Sequence, residues 1–269
     1  MLDKAELTER QKRELEYYEE YAEQKFAFEE VDFDLVKGEE TRPWNPYWFT
    51  YQYVLERVTH KDPTLLDFGC GAGEMSVLFA SRGFHTSGFD ISPANVMLSE
   101  KNAEHHGVSE LTTFSTHTAE HLPYPDNYFD VVAGLDILHH VDIPVSMKEC
   151  YRVLKPGGFA IFREPVEAFL FDWVRNWPLT LYFFPGSKSI ERHVTEDERK
   201  LNKTDRRILA EIFDKVDEFP FSVFARFHKL LPVKHSMMAL EKVDSTAVKV
   251  LPPLRTFAGC IVFVMHKAS

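Results

Sequence analysis

The chain has 269 residues, 44% of them hydrophobic and 27% charged, a balance that fits a folded globular protein and excludes wholesale disorder. The formal net charge is −11, most of it in residues 1–40, and no basic stripe suited to nucleic-acid phosphates is present. The longest stretch without Asp, Glu, Lys or Arg, Pro43 to Leu55, is too short for a membrane-spanning helix of about 20 apolar residues, and the first residues lack an apolar signal core.

In chain order, residues 6–26 predict a charged helix, with Leu7, Leu15, Tyr18 and Ala22 near helical spacing. The prolines of Thr41-Arg42-Pro43-Trp44-Asn45-Pro46 predict a loop, then a short helix from about Trp48 to Val58. From Thr64 the rhythm changes. Strands are expected at 64–68, 86–89, 112–115, 128–135 and 159–163, with helices at 74–82, 93–106 and 144–154 between them. Alternating strands and helices predict a parallel sheet with helices on both faces and ligands at the carboxyl ends of the strands. Residues 165–203 break the rhythm with Phe169, Phe171, Trp173, Trp177, Tyr182, Phe183 and Phe184, and read as an insertion. A helix from Thr204 to Val216, a strand from Phe219 to Phe227, a helical and looped stretch over 230–250 and a strand from Gly259 to Met265 complete the chain. Cys70, Cys150 and Cys260 lie far apart in apolar contexts, so no zinc site or disulfide framework is indicated, no metal is expected, and a cytoplasmic location fits.

The clearest chemistry is in Asp67-Phe68-Gly69-Cys70-Gly71-Ala72-Gly73. A glycine turn between strand and helix lets backbone amides approach a bound polar group. The spacing is Gly-x-Gly-x-Gly, unlike the Gly-x-Gly-x-x-Gly of dinucleotide binders. Asp67 before the turn repels a pyrophosphate and suits a cationic amino group. Asp90, ending the second strand, suits the two hydroxyls of a ribose. A cationic amino acid joined to a nucleoside without phosphate describes S-adenosyl-L-methionine.

With these residues stand Ala119-Glu120-His121-Leu122-Pro123, Leu138-His139-His140-Val141 and Leu154-Lys155-Pro156-Gly157-Gly158. Together they resemble the class I S-adenosylmethionine-dependent methyltransferases, in particular the quinone-biosynthesis-like group, over roughly Tyr53 to Pro165. The resemblance implies an α/β, Rossmann-like sheet of seven strands, mostly parallel with an antiparallel last strand. It divides the chain into an N-terminal helical cap (1–58), a cofactor-binding core (59–165), a substrate-lid insertion (166–203) and a C-terminal completion of the sheet (204–269). It implies cofactor contacts from Asp67, Gly69, Cys70 and Gly71 at the methionine end and from Asp90 and Ile91 at the ribose and adenine. Thr118, Ala119 and Glu120 are implied at the adenine, with Thr118 where relatives often carry Asp. Leu135 is implied near the methionine, and Tyr21, on a helix that folds over the cofactor in relatives, as a face for the sulfonium. Tyr17, Tyr18, Trp44 and Trp48 are open to the same role or to stapling the helix to the core.

A general base is needed only if the acceptor must lose a proton. His139, Glu164 and Asp136 are the candidates, with His140 beside them, all expected just past strand ends; a histidine there is also open to packing or capping a helix, and Glu164 to satisfying loop amides. The aromatic insertion favours a small apolar or aromatic acceptor over a sugar phosphate, with no nucleic acid, no membrane span and a homodimer left open. Two other readings stand beside methyl transfer: a nicotinamide-dependent oxidoreductase and a non-catalytic cofactor-binding module.

Overall fold

The computed structural model describes residues 7–24, 42–167, 199–226 and 236–269, the side chains of 20–24 and 236 excepted. In chain order the elements are α1 (Glu9–Gln24), α2 (Pro46–Arg57), β1 (Thr64–Phe68), α3 (Glu74–Ala80), β2 (His85–Asp90), α4 (Pro93–His105), β3 (Thr112–Thr116), β4 (Phe129–Leu135), α5 (Ile143–Val153), β5 (Leu154–Pro165), α6 (Lys203–Ile212), β6 (Lys215–Phe221), α7 (Ser236–Val250) and β7 (Cys260–His266). The strands form one seven-stranded sheet in the order β3-β2-β1-β4-β5-β7-β6. β7 runs antiparallel to β5 and β6, and the other pairings are parallel, as the sequence implied.

Alternation along the central strands sends side chains to two cores. Leu66, Val132, Phe162 and Phe263 face one side, where Met147 and Cys150 of α5 and Leu209 of α6 cover them. Leu65, Val131, Ile161 and Val262 face the other, under Tyr51, Tyr53 and Val54 of α2 and Phe79 of α3. Burying each such apolar side chain contributes about 1.5–3 kcal/mol, so two filled layers fix the sheet's register. Trp48 is 4% exposed, its ring centroid 6.3 Å from that of Tyr51.

Several boundaries differ from the sequence expectation. α2 starts at Pro46 because its first position needs no N–H, and Asn45 Oδ1 caps it by accepting from the amides of Tyr47 (3.0 Å) and Trp48 (3.1 Å). β5 starts at Leu154, and the Pro156-Gly157-Gly158 turn is an irregularity within it: Leu154 pairs with Phe129, but the next pair beyond the turn is Val131 with Phe159. α6 ends at Ile212, not Val216, and the strand expected at 219–227 lies at 215–221. That strand is the sheet edge, half-buried and charged at Lys215, Asp217 and Glu218, so its pattern resembles a solvated helix face; an edge also tolerates Pro220. The aromatic cluster 169–184 lies outside the described residues. The ends of its segment meet: Val166 bridges to Leu201, and the Leu201 amide donates to the Pro165 carbonyl at 3.0 Å.

Candidate functional site

The parallel strands β1, β2, β3 and β4 end on one rim, where a cleft opens. Gly69, Gly71, Asp90, Ile91, Thr118, Ala119, Glu120, Leu135 and Asp136 line it, so nine of the residues expected at the site share one cavity. Asp67, Cys70 and Gly69 line an adjoining pocket that shares Leu135 with the first.

The glycine turn is forced by conformation. Gly69 has φ +74°, where a Cβ would also lie 2.6 Å from Ile137 Cδ1. The Cys70 amide is committed to the Phe89 carbonyl (2.8 Å), and its thiol lies 3.6 Å from Ser99 Oγ, beneath the turn. Asp90 organises the turn from the side. Its Oδ2 accepts from the Gly71 amide (3.0 Å), and its Oδ1 accepts from the Ser92 amide (2.8 Å) and Asn95 Nδ2 (3.2 Å). Burial pushes its pKa up, against these donors. A carboxylate has about four acceptor positions, so Asp90 keeps capacity toward the cleft. Asp67 is buried, and its Oδ2 accepts from the Ser76 amide (3.0 Å) and hydroxyl (2.6 Å) at the start of α3. Burial raises its pKa to about 7, against the Ser76 donors.

The loop after β4 is held from behind. Glu164 Oε1 accepts from the amides of Ile137 and Leu138, both at 2.8 Å, and Oε2 lies 2.8 Å from His139 Nδ1. Glu164 has no exposed surface. Of the two roles the sequence left open for Glu164, binding an acceptor or satisfying loop amides, both oxygens take up the second. His139 lies behind the same loop, next to His140, with ring centroids 4.1 Å apart. Asp136, in a left-handed conformation (φ +54°), pairs with Arg163 and accepts from Tyr47 Oη at 3.0 Å. The Arg163 guanidinium stacks 4.6 Å above the Tyr47 ring, which anchors α2 to this rim.

α1 covers the cleft through Tyr18, which the sequence left open to facing the cofactor, and through Gln11 and Glu14, which it did not select. Gln11, Glu14 and Tyr18, at helical spacing, all line it. Gln11 Nε2 donates to Glu120 Oε2 (2.9 Å), Glu14 Oε1 meets His140 Nδ1 (3.1 Å), and Tyr18 Oη lies 3.4 Å from His140 Nε2. Arg10 donates to the His139 carbonyl at 2.6 Å. The spacing shared with Leu7 and Leu15 was the available signal, because polar residues on a buried helix face need partners. Tyr21 is on the same helix, but its side chain lies outside the described residues. Glu14, Asp90, Glu120 and Asp136 line the cleft, and among the described residues no Lys or Arg does, so its field favours a cation. His117, also not selected from the sequence, forms part of the wall.

Residues 66–162 match the model of the methyltransferase domain family. The ubiquinone biosynthesis O-methyltransferase of Cereibacter sphaeroides is 31% identical over 143 residues, covering 50% of this chain and 55% of that protein. Its namesake in Pseudomonas savastanoi pv. phaseolicola is 36% identical over 126 residues, covering 44% and 53%. The chain thus spans about half the length of the curated relatives it matches. The crystal structure of geranyl diphosphate C-methyltransferase from Streptomyces coelicolor covers 96% of this chain and 97% of its own, with a TM-score of 0.55 at 13% identity, a likeness of fold. Residues 66–162 thus match a methyltransferase domain over the span from which the resemblance was read, the glycine turn through the later motifs.

Proposed function

We propose that the chain binds S-adenosyl-L-methionine and transfers its methyl group to a small apolar or aromatic acceptor. One observation carries this reading: a glycine turn at the strand ends opens on a cleft with four carboxylates and no lysine or arginine among its described lining. A nucleoside bearing a positive sulfur and an ammonium group suits that field; a pyrophosphate does not.

The residues fit the cofactor. Asp90 would hold the ribose hydroxyls with its remaining lone pairs, and Ile91, Thr118 and Ala119 would border the adenine. Gly69, Leu135 and the Asp67 pocket would take the methionine end, with the Cys70 and Gly71 turn setting the approach. Glu120 acts on α1 through Gln11. When bound, the cofactor supplies a methyl group already activated on a cationic sulfur, so the protein's contribution is alignment and exclusion of water. α1 excludes water by lying across the cleft on Gln11, Glu14 and Tyr18; Tyr21 is proposed beside them from the sequence.

The curated relatives are O-methyltransferases, which favours an oxygen as acceptor atom. A hydroxyl must then lose a proton, and His139 is the proposed base. Glu164 faces its Nδ1 at 2.8 Å and orients the ring. Glu164 is a positioning residue in this scheme, and Asp136, committed to Tyr47 and Arg163, shapes the rim. Residues 166–203 are proposed as the acceptor-side lid, supported by the meeting of their ends beside β5. The three buried free cysteines support a reducing, cytoplasmic setting, and no described helix is long and apolar enough to cross a membrane.

Calorimetric titration with S-adenosylhomocysteine and with NAD tests the reading. Binding of the first and not the second is expected; the reverse overturns it. Labelled S-adenosylmethionine incubated with cell extract and the protein then separates an enzyme, which labels a small molecule, from a module that binds without transfer.

A further inference from the structure

A second cavity lies past the ends of β5 and β6 and the start of β7. Its volume is about 840 Å³, within the range of small-molecule sites, and it shares no described lining residue with the cofactor cleft or the pocket beside it. Its floor is apolar. Val166, Leu201 and Ile261 are each at most 3% exposed and belong to the core covered by α5 and α6. Asp67 alternates along β1 with Leu66 and Phe68 of that same core, so the Asp67 pocket is on the opposite face of the sheet.

The rim is charged. Arg206 Nε donates to Glu218 Oε1 at 2.8 Å, so those two charges answer each other. Lys203, at the first position of α6, and Arg255, in the helical turn Pro252–Phe257 ahead of β7, also line the cavity. Both are exposed, and neither has an ion-pair, hydrogen-bond or ring partner for its side chain among the described residues. Against them stands one further carboxylate of the lining, the exposed Glu167. The field is therefore net positive, opposite in sign to that of the cleft with its four carboxylates.

An apolar floor under unpaired cations selects a ligand that is apolar at one end and anionic at the other. Free phosphate has no apolar body to lay on Ile261, and a sulfonium nucleoside has the wrong charge. We infer that this cavity is a second ligand site, for an organic monoanion such as an aryl or alkyl carboxylate or sulfonate. The apolar body lies on Val166, Leu201 and Ile261, and the acid group meets Lys203 and Arg255. Such a site stands whether or not the cleft binds the cofactor.

8-Anilinonaphthalene-1-sulfonate is a monoanion of this class, and N-phenyl-1-naphthylamine carries the same rings without the charge. Fluorescence titration of the full chain with each probe tests the site in wild type, in Lys203→Ser/Arg255→Ser, and in Lys203→Arg/Arg255→Lys, which keeps both charges. Wild type is expected to bind the anion about tenfold tighter than the neutral probe, the serine pair to lose that preference, and the swapped pair to keep most of it. Saturating S-adenosylhomocysteine should leave the affinity for the anion unchanged. If the serine pair fails to fold by circular dichroism, wild type decides alone: decanoate should displace the anionic probe, and decyltrimethylammonium should not. No preference in wild type, an unchanged preference in the serine pair, or displacement of the anionic probe by S-adenosylhomocysteine or by the ammonium detergent overturns the inference.

Discussion

Asp90 and Glu164 perform the same local task at opposite sides of the cleft. Each stands at or near the end of a strand, and each gathers two backbone amides and one side-chain nitrogen into a loop. They differ in what else they reach. Asp90 is on the cleft wall, 9% exposed, with acceptor capacity left over; Glu164 has no exposed surface and lies behind the loop it holds. A carboxylate that organises backbone touches a ligand only if a lone pair still faces the cavity, so the two should fail differently when removed.

The largest effect is expected from Glu164→Ala. It strands two buried amides and the His139 ring, and loss of a buried partner of this kind costs about 3–5 kcal/mol. Urea unfolding should show that loss. A stability close to wild type would mean that the loop holds itself and that Glu164 is free for another role.

Asp90→Ala should invert the pattern. Affinity for S-adenosylhomocysteine should fall at least about 100-fold, equivalent to about 2.7 kcal/mol, while unfolding stability drops by only about 1–2 kcal/mol. Solvent can reach the stranded Gly71 amide through the cleft, which softens the structural cost. Unchanged affinity would remove Asp90 from the site.

The contrast also explains what was readable in the sequence. Asp90 was found because strand, carboxylate and capped helix are contiguous: Ser92 and Pro93 announce the start of α4. The central strands were found because residues buried on both faces form continuous apolar runs. Glu164 was left between two tasks, since no local pattern tells a strand-end carboxylate facing the cavity from one facing inward beneath a loop 25 residues away in sequence. His117 carries no motif at all; its place on the wall comes from stacking on Phe89 of the neighbouring strand. β6 was displaced because an edge strand with alternating charge has the composition of an exposed helix.

Asp67 sharpens the comparison, being as deeply buried as Glu164 yet beside a pocket. Its folded pKa of about 7 lies above the ordinary 3.8. Between those values the folded chain keeps a proton that the unfolded chain has lost, so this group's stabilising contribution, full below the lower value, is lost as pH rises toward the upper one. Asp67→Asn keeps an acceptor for Ser76 and cannot ionise. The variant should gain on wild type by on the order of 1–2 kcal/mol between about pH 4 and about pH 8 in ligand-free urea unfolding. Parallel stability curves would show that Asp67 stays charged in the fold.

The smallest effects separate the two glycines that join these regions. Gly71 has φ +51° and open space where a Cβ would go, so Gly71→Ala meets only the left-handed backbone penalty, about 1 kcal/mol. Gly69→Ala adds a collision with Ile137, whose amide Glu164 holds, and should cost about 2 kcal/mol. Shortening the neighbour discriminates between the causes. Relative to Ile137→Ala alone, adding Gly69→Ala should cost only the backbone part, while the cost of Gly71→Ala should be the same with either residue at 137. If the Gly69 penalty is unmoved by Ile137→Ala, the turn and the loop after β4 do not press on each other. The cofactor side and the Glu164 side would then behave as independent units, and variants across the cleft should be additive.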